Sequence, residues 1–173
     1  MPNGSKNGTA GKTGPKHRKD FEMTQSLQFP PDHDMSEWTY YADKNAFMEL
    51  VGPFWERKRD ECYEYAFIGR EKHCNLSGVV HGGALTAYAD HALGRTGWID
   101  NGVSPVVTVE LSVQFMDAAQ INQLIVCRVE ILRKTRTMYF IRGDMRAGER
   151  LVASASGIWK IIDRPRTPDA GVR

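Results

Sequence analysis

Apolar and polar residues change rhythm along this chain, and the changes mark out its elements. From Glu61 to Ile68, Tyr63, Tyr65 and Phe67 alternate with Glu64 and Ala66, the period-two signature of a strand. Ala84, Leu85, Ala87, Tyr88, Ala89, Ala92 and Leu93 then crowd one short segment. That is too many apolar positions for a one-sided surface helix, so a helix covered on most of its circumference is expected. A turn-rich stretch is expected from Gly94 to Pro105. After it Val107, Val109, Leu111, Val113 and Phe115 alternate with Thr108, Glu110, Ser112 and Gln114, a half-buried strand. Strands are also predicted over 124–132, 138–145 and 151–162, joined by the short polar turns around 133–136 and 146–149. The order is strand, buried helix, then four antiparallel strands. A sheet curled around the helix would cover it and would leave sheet edges, which identical chains can pair, so at least a homodimer is expected.

The chemistry-bearing stretch lies where the buried helix begins. Asn75-Leu76-Ser77-Gly78-Val79-Val80-His81-Gly82-Gly83 runs into it, and Asp90 follows nine residues after His81. A helix opening on Gly-Gly presents backbone N–H groups with no intrahelical partner and no side chain in front of them. Such an end receives an anion, or an oxygen becoming one. Asp90 lies eight residues beyond Gly82, roughly 12 Å down a helix that rises about 1.5 Å per residue. One chain cannot bring both to one carbonyl; if they act together, the site is shared between two chains. Asp90 also has a structural reading, a salt bridge to Arg95 about one turn away. Thr108 is equally readable as an ordinary strand residue, and His91 as structural.

These residues resemble a known family. The βαββββ order with the helix starting at His-Gly-Gly resembles the hotdog fold, an α+β fold in which a curved antiparallel sheet wraps a central helix. Asn75, Gly78, His81, Gly82, Gly83 and Asp90 at these spacings resemble the phenylacetate-pathway (PaaI-like) type of acyl-CoA thioesterase. The likeness spans roughly residues 43–162 and includes a leading helical segment with Phe47, Leu50, Val51, Gly52 and Pro53.

It implies hydrolysis of an acyl-CoA thioester to free acid and coenzyme A, without a metal or a separate cofactor, by a dimer or dimer of dimers. Gly82 N–H would hold the thioester oxygen, and Asp90 of the partner chain would act as general base on water or as nucleophile. Asn75 and His81 would shape the loop and position the carbonyl, and Thr108 matches a hydroxyl that orients the attacking water in some relatives. Val80, Gly83, Lys134, Arg136 and Thr137 are the expected substrate contacts, the last three with Arg133 near the hairpin where the nucleotide would lie. Thr135 stands where many relatives carry glycine. Tyr88, Trp98, Phe115 and Met116 are candidates for the acyl pocket. A hotdog dehydratase or hydratase, and a non-catalytic acyl-CoA sensor, are the other readings.

Composition narrows the rest. Within 173 residues there is no run of 18 apolar ones, so no membrane span is expected. Residues 1–20 carry Lys6, Lys12, Lys16, Arg18 and Lys19 against Asp20, while the whole chain carries only +2. The remainder is therefore slightly acidic, which argues against a nucleic-acid-binding surface. We expect a disordered basic tail over 1–20, an extended connector over 21–42 with Trp38, Tyr40 and Tyr41 packing on the domain, the hotdog domain over 43–163, and a flexible tail over 164–173. Gly11-Lys12-Thr13 lacks the earlier glycine of a phosphate loop, and Asp32-His33-Asp34 has no second cluster for a metal. Cys62, Cys74 and Cys127 form no CxxC pair and, with no signal sequence, point to reduced thiols in the cytoplasm. No G-x-S-x-G elbow is present, which disfavours a serine hydrolase.

Overall fold

The computed structural model describes residues 33–41, 46–102 and 105–162. The readings for 1–20, for most of 21–42 and for 164–173 lie outside them. The described residues form β1 (Thr39–Tyr41), α1 (Ala46–Val51), β2 (Phe54–Arg59), β3 (Cys62–Ile68), a 3₁₀ turn (Glu71–His73), α2 (Gly82–Asp100), β4 (Val106–Phe115), β5 (Leu124–Lys134), β6 (Met138–Ala147) and β7 (Arg150–Ile161). The strands form one antiparallel sheet in the order β1-β2-β3-β5-β6-β7-β4. The sheet curves around α2, giving the expected α+β hotdog architecture. α2 connects β3 to β4 at the far side of the sheet, so β4 is an edge strand.

The core fills the space between α2 and the concave face. Leu85, Tyr88, Ala89, Ala92 and Leu93 of α2 meet Phe67, Ile125, Cys127, Ile141, Met145 and Trp159 of the sheet. Its polar groups are paired. Tyr88 Oη donates to the Tyr65 carbonyl at 2.7 Å and accepts from Cys127 N at 3.1 Å, and Tyr65 Oη meets Thr96 Oγ1 at 2.9 Å. Tyr88 is thus a core residue and lines no acyl pocket, because its hydroxyl is fully used by the sheet backbone.

Three local expectations are corrected. The stretch from Gly94 to Asp100 is helix, not turn. Its glycines serve close approach: a Cβ on Gly94 would stand 2.9 Å from Trp159 Nε1, and one on Gly97 3.3 Å from Ile141 Cδ1. The sheet also begins earlier than Glu61, because Phe54–Arg59 pair with β3 and Thr39–Tyr41 pair with β2. Finally, β4 does not alternate throughout. Thr108 pairs with Trp159 and Glu110 with Ile158, so Val109 is an extra residue, a β-bulge. Leu111, Val113 and Phe115 face the helix side; beyond the bulge Val106 and Thr108 do so, while Val107 and Val109 are exposed.

Candidate active site

The loop before α2 is built by its own side chains. Asn75 Oδ1 accepts from Ser77 N at 2.9 Å and Val79 N at 3.4 Å, and Gly78 takes φ +75°, a conformation that favours glycine. Val80 N donates to the Ala119 carbonyl and His81 N to the His73 carbonyl, anchoring the loop. Beneath it His73 is buried against Phe67, and its Nδ1 accepts from Arg70 N at 3.0 Å. Burial, reinforced by the charge of Lys72, pulls its pKa down to about 4, so the imidazole is neutral.

His81 is the N-cap of α2. Its Nδ1 accepts from Gly83 N at 2.8 Å, while Ala84 N and Leu85 N donate to the His81 carbonyl. Of the first-turn amides, Gly82 N–H alone has no partner among the described residues. It opens on a depression of about 400 Å³ lined by Val80, Leu85, Phe115 and Met116. A helix start with one uncommitted amide beside apolar walls is equipped to polarise a carbonyl oxygen.

Two turns along α2, Asp90 Oδ1 accepts from Thr108 Oγ1 at 2.7 Å. Strict alternation would have turned Thr108 away from the helix; the bulge at Val109 aims it at the carboxylate. Oδ2 has no partner among the described residues. Asp90 and Thr108 open on a cleft of about 530 Å³, walled by Tyr41, His91, Gly94, Trp98 and Trp159. Arg95 does not pair with Asp90. It forms a two-pronged bridge to Glu56, with both N–O distances 3.0 Å, and stacks on Tyr41 and Trp98. His91 packs on Phe54 and Tyr41.

The structure therefore brings Asp90 and Thr108 together, brings His81, Gly82, Gly83, Val80 and Asn75 together, and keeps the two groups in separate hollows. Trp98 lines the Asp90 cleft, and Phe115 and Met116 line the Gly82 depression. At the hairpin, Lys134 Nζ is held by the Asp100 carboxylate at 2.8 Å, with Tyr139 Oη on the same oxygen at 2.7 Å. The Lys134 contact holds the Asp100 carboxyl below its usual pKa. Thr135 closes its turn through its side chain, its Oγ1 accepting from Met138 N at 2.9 Å. Arg136 and Thr137 are exposed. Among the described residues no cluster of His, Cys, Asp or Glu suits a metal ion, and no helix is long and apolar enough to cross a membrane.

Helix, sheet and helix-start loop together define a hotdog-fold scaffold. Residues 77–154 match the family model of the thioesterase superfamily. The chain is 34% identical over 117 residues to PA0474 of Pseudomonas aeruginosa, a protein assigned by inference as an esterase, covering 66% of this chain and 87% of that one. It belongs to the thioesterase superfamily. Among solved structures, it resembles conserved protein PA5202 of P. aeruginosa at 25% identity and TM-score 0.61, over 68% of this chain and 94% of that one. A variant of the phenylacetic acid degradation protein PaaI from Thermus thermophilus shares the fold at 23% identity and TM-score 0.60, over 68% of this chain and the whole of that one.

Proposed function

We propose that this protein hydrolyses acyl-CoA thioesters in a site assembled from two copies of the chain. The observation that carries this reading is the division of labour along α2: a free amide at Gly82 and a hydroxyl-held carboxylate at Asp90, in different hollows. Edge strand β4 supports a way to join them. It is rich in exposed apolar residues, Val107, Val109 and Phe115, which favours pairing with a second copy. Gly82 lies beside Phe115 near one end of β4, and Asp90 beside Thr108 near the other. Antiparallel pairing of β4 with its copy about an axis near Leu111 and Ser112 sets the Gly82 end of one chain against the Asp90 end of its partner.

In that arrangement the partner's Gly82 N–H polarises the thioester carbonyl and stabilises the tetrahedral oxyanion. Asp90, oriented by Thr108, takes a proton from water or attacks directly. The coenzyme A thiol has a pKa near that of free cysteine, about 8.5, so its thiolate leaves without a general acid. A single carboxylate is then sufficient equipment. Asn75 and His81 fix the amide, and Val80 and Gly83 flank it. Lys134 is committed to Asp100, which leaves Arg133 and Arg136, with Thr137 beside the latter, as the groups available to a coenzyme A phosphate.

The test is thiol release from short, medium, long and aryl acyl-CoAs by wild type and Asp90→Asn. Loss of the carboxylate is expected to lower kcat by about 10²- to 10⁴-fold while acyl-CoA still binds. Wild-type turnover by Asp90→Asn would overturn the assignment.

A further inference from the structure

Trp159 is 1% exposed, yet its indole N–H makes no hydrogen bond among the described residues. Indole N–H groups of buried rings ordinarily find a partner, and this one is not sealed from solvent, so it stands as a free donor on a cleft wall. The ring is held in a slot between two glycines. On the sheet, a Cβ on Gly157 would stand 2.7 Å from Cη2 and 2.8 Å from Cζ3 of Trp159. On the helix, a Cβ on Gly94 would stand 2.9 Å from Nε1. The benzo edge therefore lies over the sheet, and the N–H edge is turned toward α2 at Gly94. Gly94 and Trp159 both line the cleft that holds Asp90, and Gly94 sits one helical turn beyond it. Any side chain at 94 would cover this donor.

We infer that Trp159 is a specificity-determining residue whose Nε1–H donates to an acceptor atom on the acyl group, so that the preferred substrates are acyl thioesters bearing an acceptor oxygen along the chain, over all-carbon acyl groups of the same length. This rests on the thioesterase reading above. The carbonyl under attack stays at Asp90, and the acyl chain runs along α2 toward Gly94 and Trp98. The oxygen it carries meets the indole N–H there. An all-carbon chain fills the same space, shuts water away from the N–H and leaves it without a partner, and that loss is penalised.

The experiment compares acyl-CoAs of equal length in which one CH₂ is replaced by an ether oxygen, moved stepwise along the chain. In the wild type one oxygen position is expected to raise kcat/KM about three- to tenfold over the all-carbon partner. In Trp159→Phe that ratio falls to about one. Because the readout is a ratio of two substrates on one enzyme, damage to packing cancels. If Trp159→Phe does not fold, ¹⁵N-tryptophan-labelled wild type decides: the Trp159 indole N–H resonance shifts with a non-hydrolysable thioether analogue carrying the oxygen, and stays with the all-carbon analogue. Equal rates for ether and all-carbon chains in an active wild type, an unchanged ratio in Trp159→Phe, or an unmoved resonance overturns this inference and leaves the thioesterase reading standing. No turnover of any thioester by the wild type overturns both.

Discussion

Gly82→Pro isolates the oxyanion role of one backbone amide. Gly82 is the first residue of α2, where proline is tolerated because the missing N–H has no intrahelical acceptor. The residue before it is already suited: His81 has φ −63° and ψ 137°, the extended conformation that a following proline favours. The cap from His81 to Gly83 N does not involve the lost hydrogen. The steric cost is confined to Phe115, whose Cζ would lie 3.1 Å from a new Cβ and whose exposed ring can shift. Gly82→Ala brings the same Cβ and keeps the N–H, so the difference between the two variants reports the amide. Loss of one oxyanion donor costs about 3 to 4 kcal/mol of barrier, about 10²- to 10³-fold in kcat. Thiol release read with a chromogenic disulfide is the assay, with circular dichroism and a thermal melt to show that α2 persists. Gly82→Pro folded and as active as Gly82→Ala would refute the reasoning. Mixing Gly82→Pro with Asp90→Asn subunits tests sharing: half of randomly reassorted dimers hold one chain of each, with one of two sites intact, so about a quarter of wild-type activity returns from two inactive parents. No recovery after proven exchange would put both groups in one chain's site.

Three further outcomes are expected. Thr108→Val keeps a β-branched strand residue but removes the 2.7 Å bond to Asp90, and should lower kcat about tenfold with little change in melting temperature, whereas Thr108→Ser stays within about threefold; equal rates for Val and wild type would remove Thr108 from the site. Arg136→Ala should raise KM for acyl-CoA several-fold, more at low than at high salt, and leave kcat in place; an unchanged KM would remove Arg136 from phosphate binding. His73, near pKa 4 when folded and about 6.5 when unfolded, is charged earlier in the unfolded chain, so stability should be full above about pH 6.5 and decline as pH falls from there toward 4. His73→Asn, which can still accept from Arg70 N, should flatten that decline in urea titrations at stepped pH, and an unaltered slope would show that another group causes it.

The helix start and the strands after it were readable because their signals are local: glycines and a cap before an apolar segment, and alternation within hairpins. What escaped was set across the fold. Glycine usually breaks helices, and only Trp159 and Ile141, brought close by the sheet, explain Gly94 and Gly97 inside α2. Phe54–Arg59 hides its alternation because an inward position, Glu56, is polar, and Arg95 on α2 satisfies it. Spacing offered Arg95 to Asp90, but a partner 39 residues away took it. The nearness of Thr108 to Asp90 could be expected from family likeness alone, since alternation pointed the hydroxyl elsewhere. Nothing local marked Trp159, whose surroundings come from glycines on two separate elements.

The bulge at Val109 also fixes where this strand can lose a residue. Without Val109, Leu111, Thr108 and Val106 keep a regular alternation on the helix side, and Thr108 still faces Asp90. Without Ser112, everything before it inverts: Leu111 and Val106 turn outward and the hydroxyl leaves the carboxylate. Related chains can therefore differ in length at one point of β4 and preserve the same chemistry, while a gap two or three residues further on would erase it.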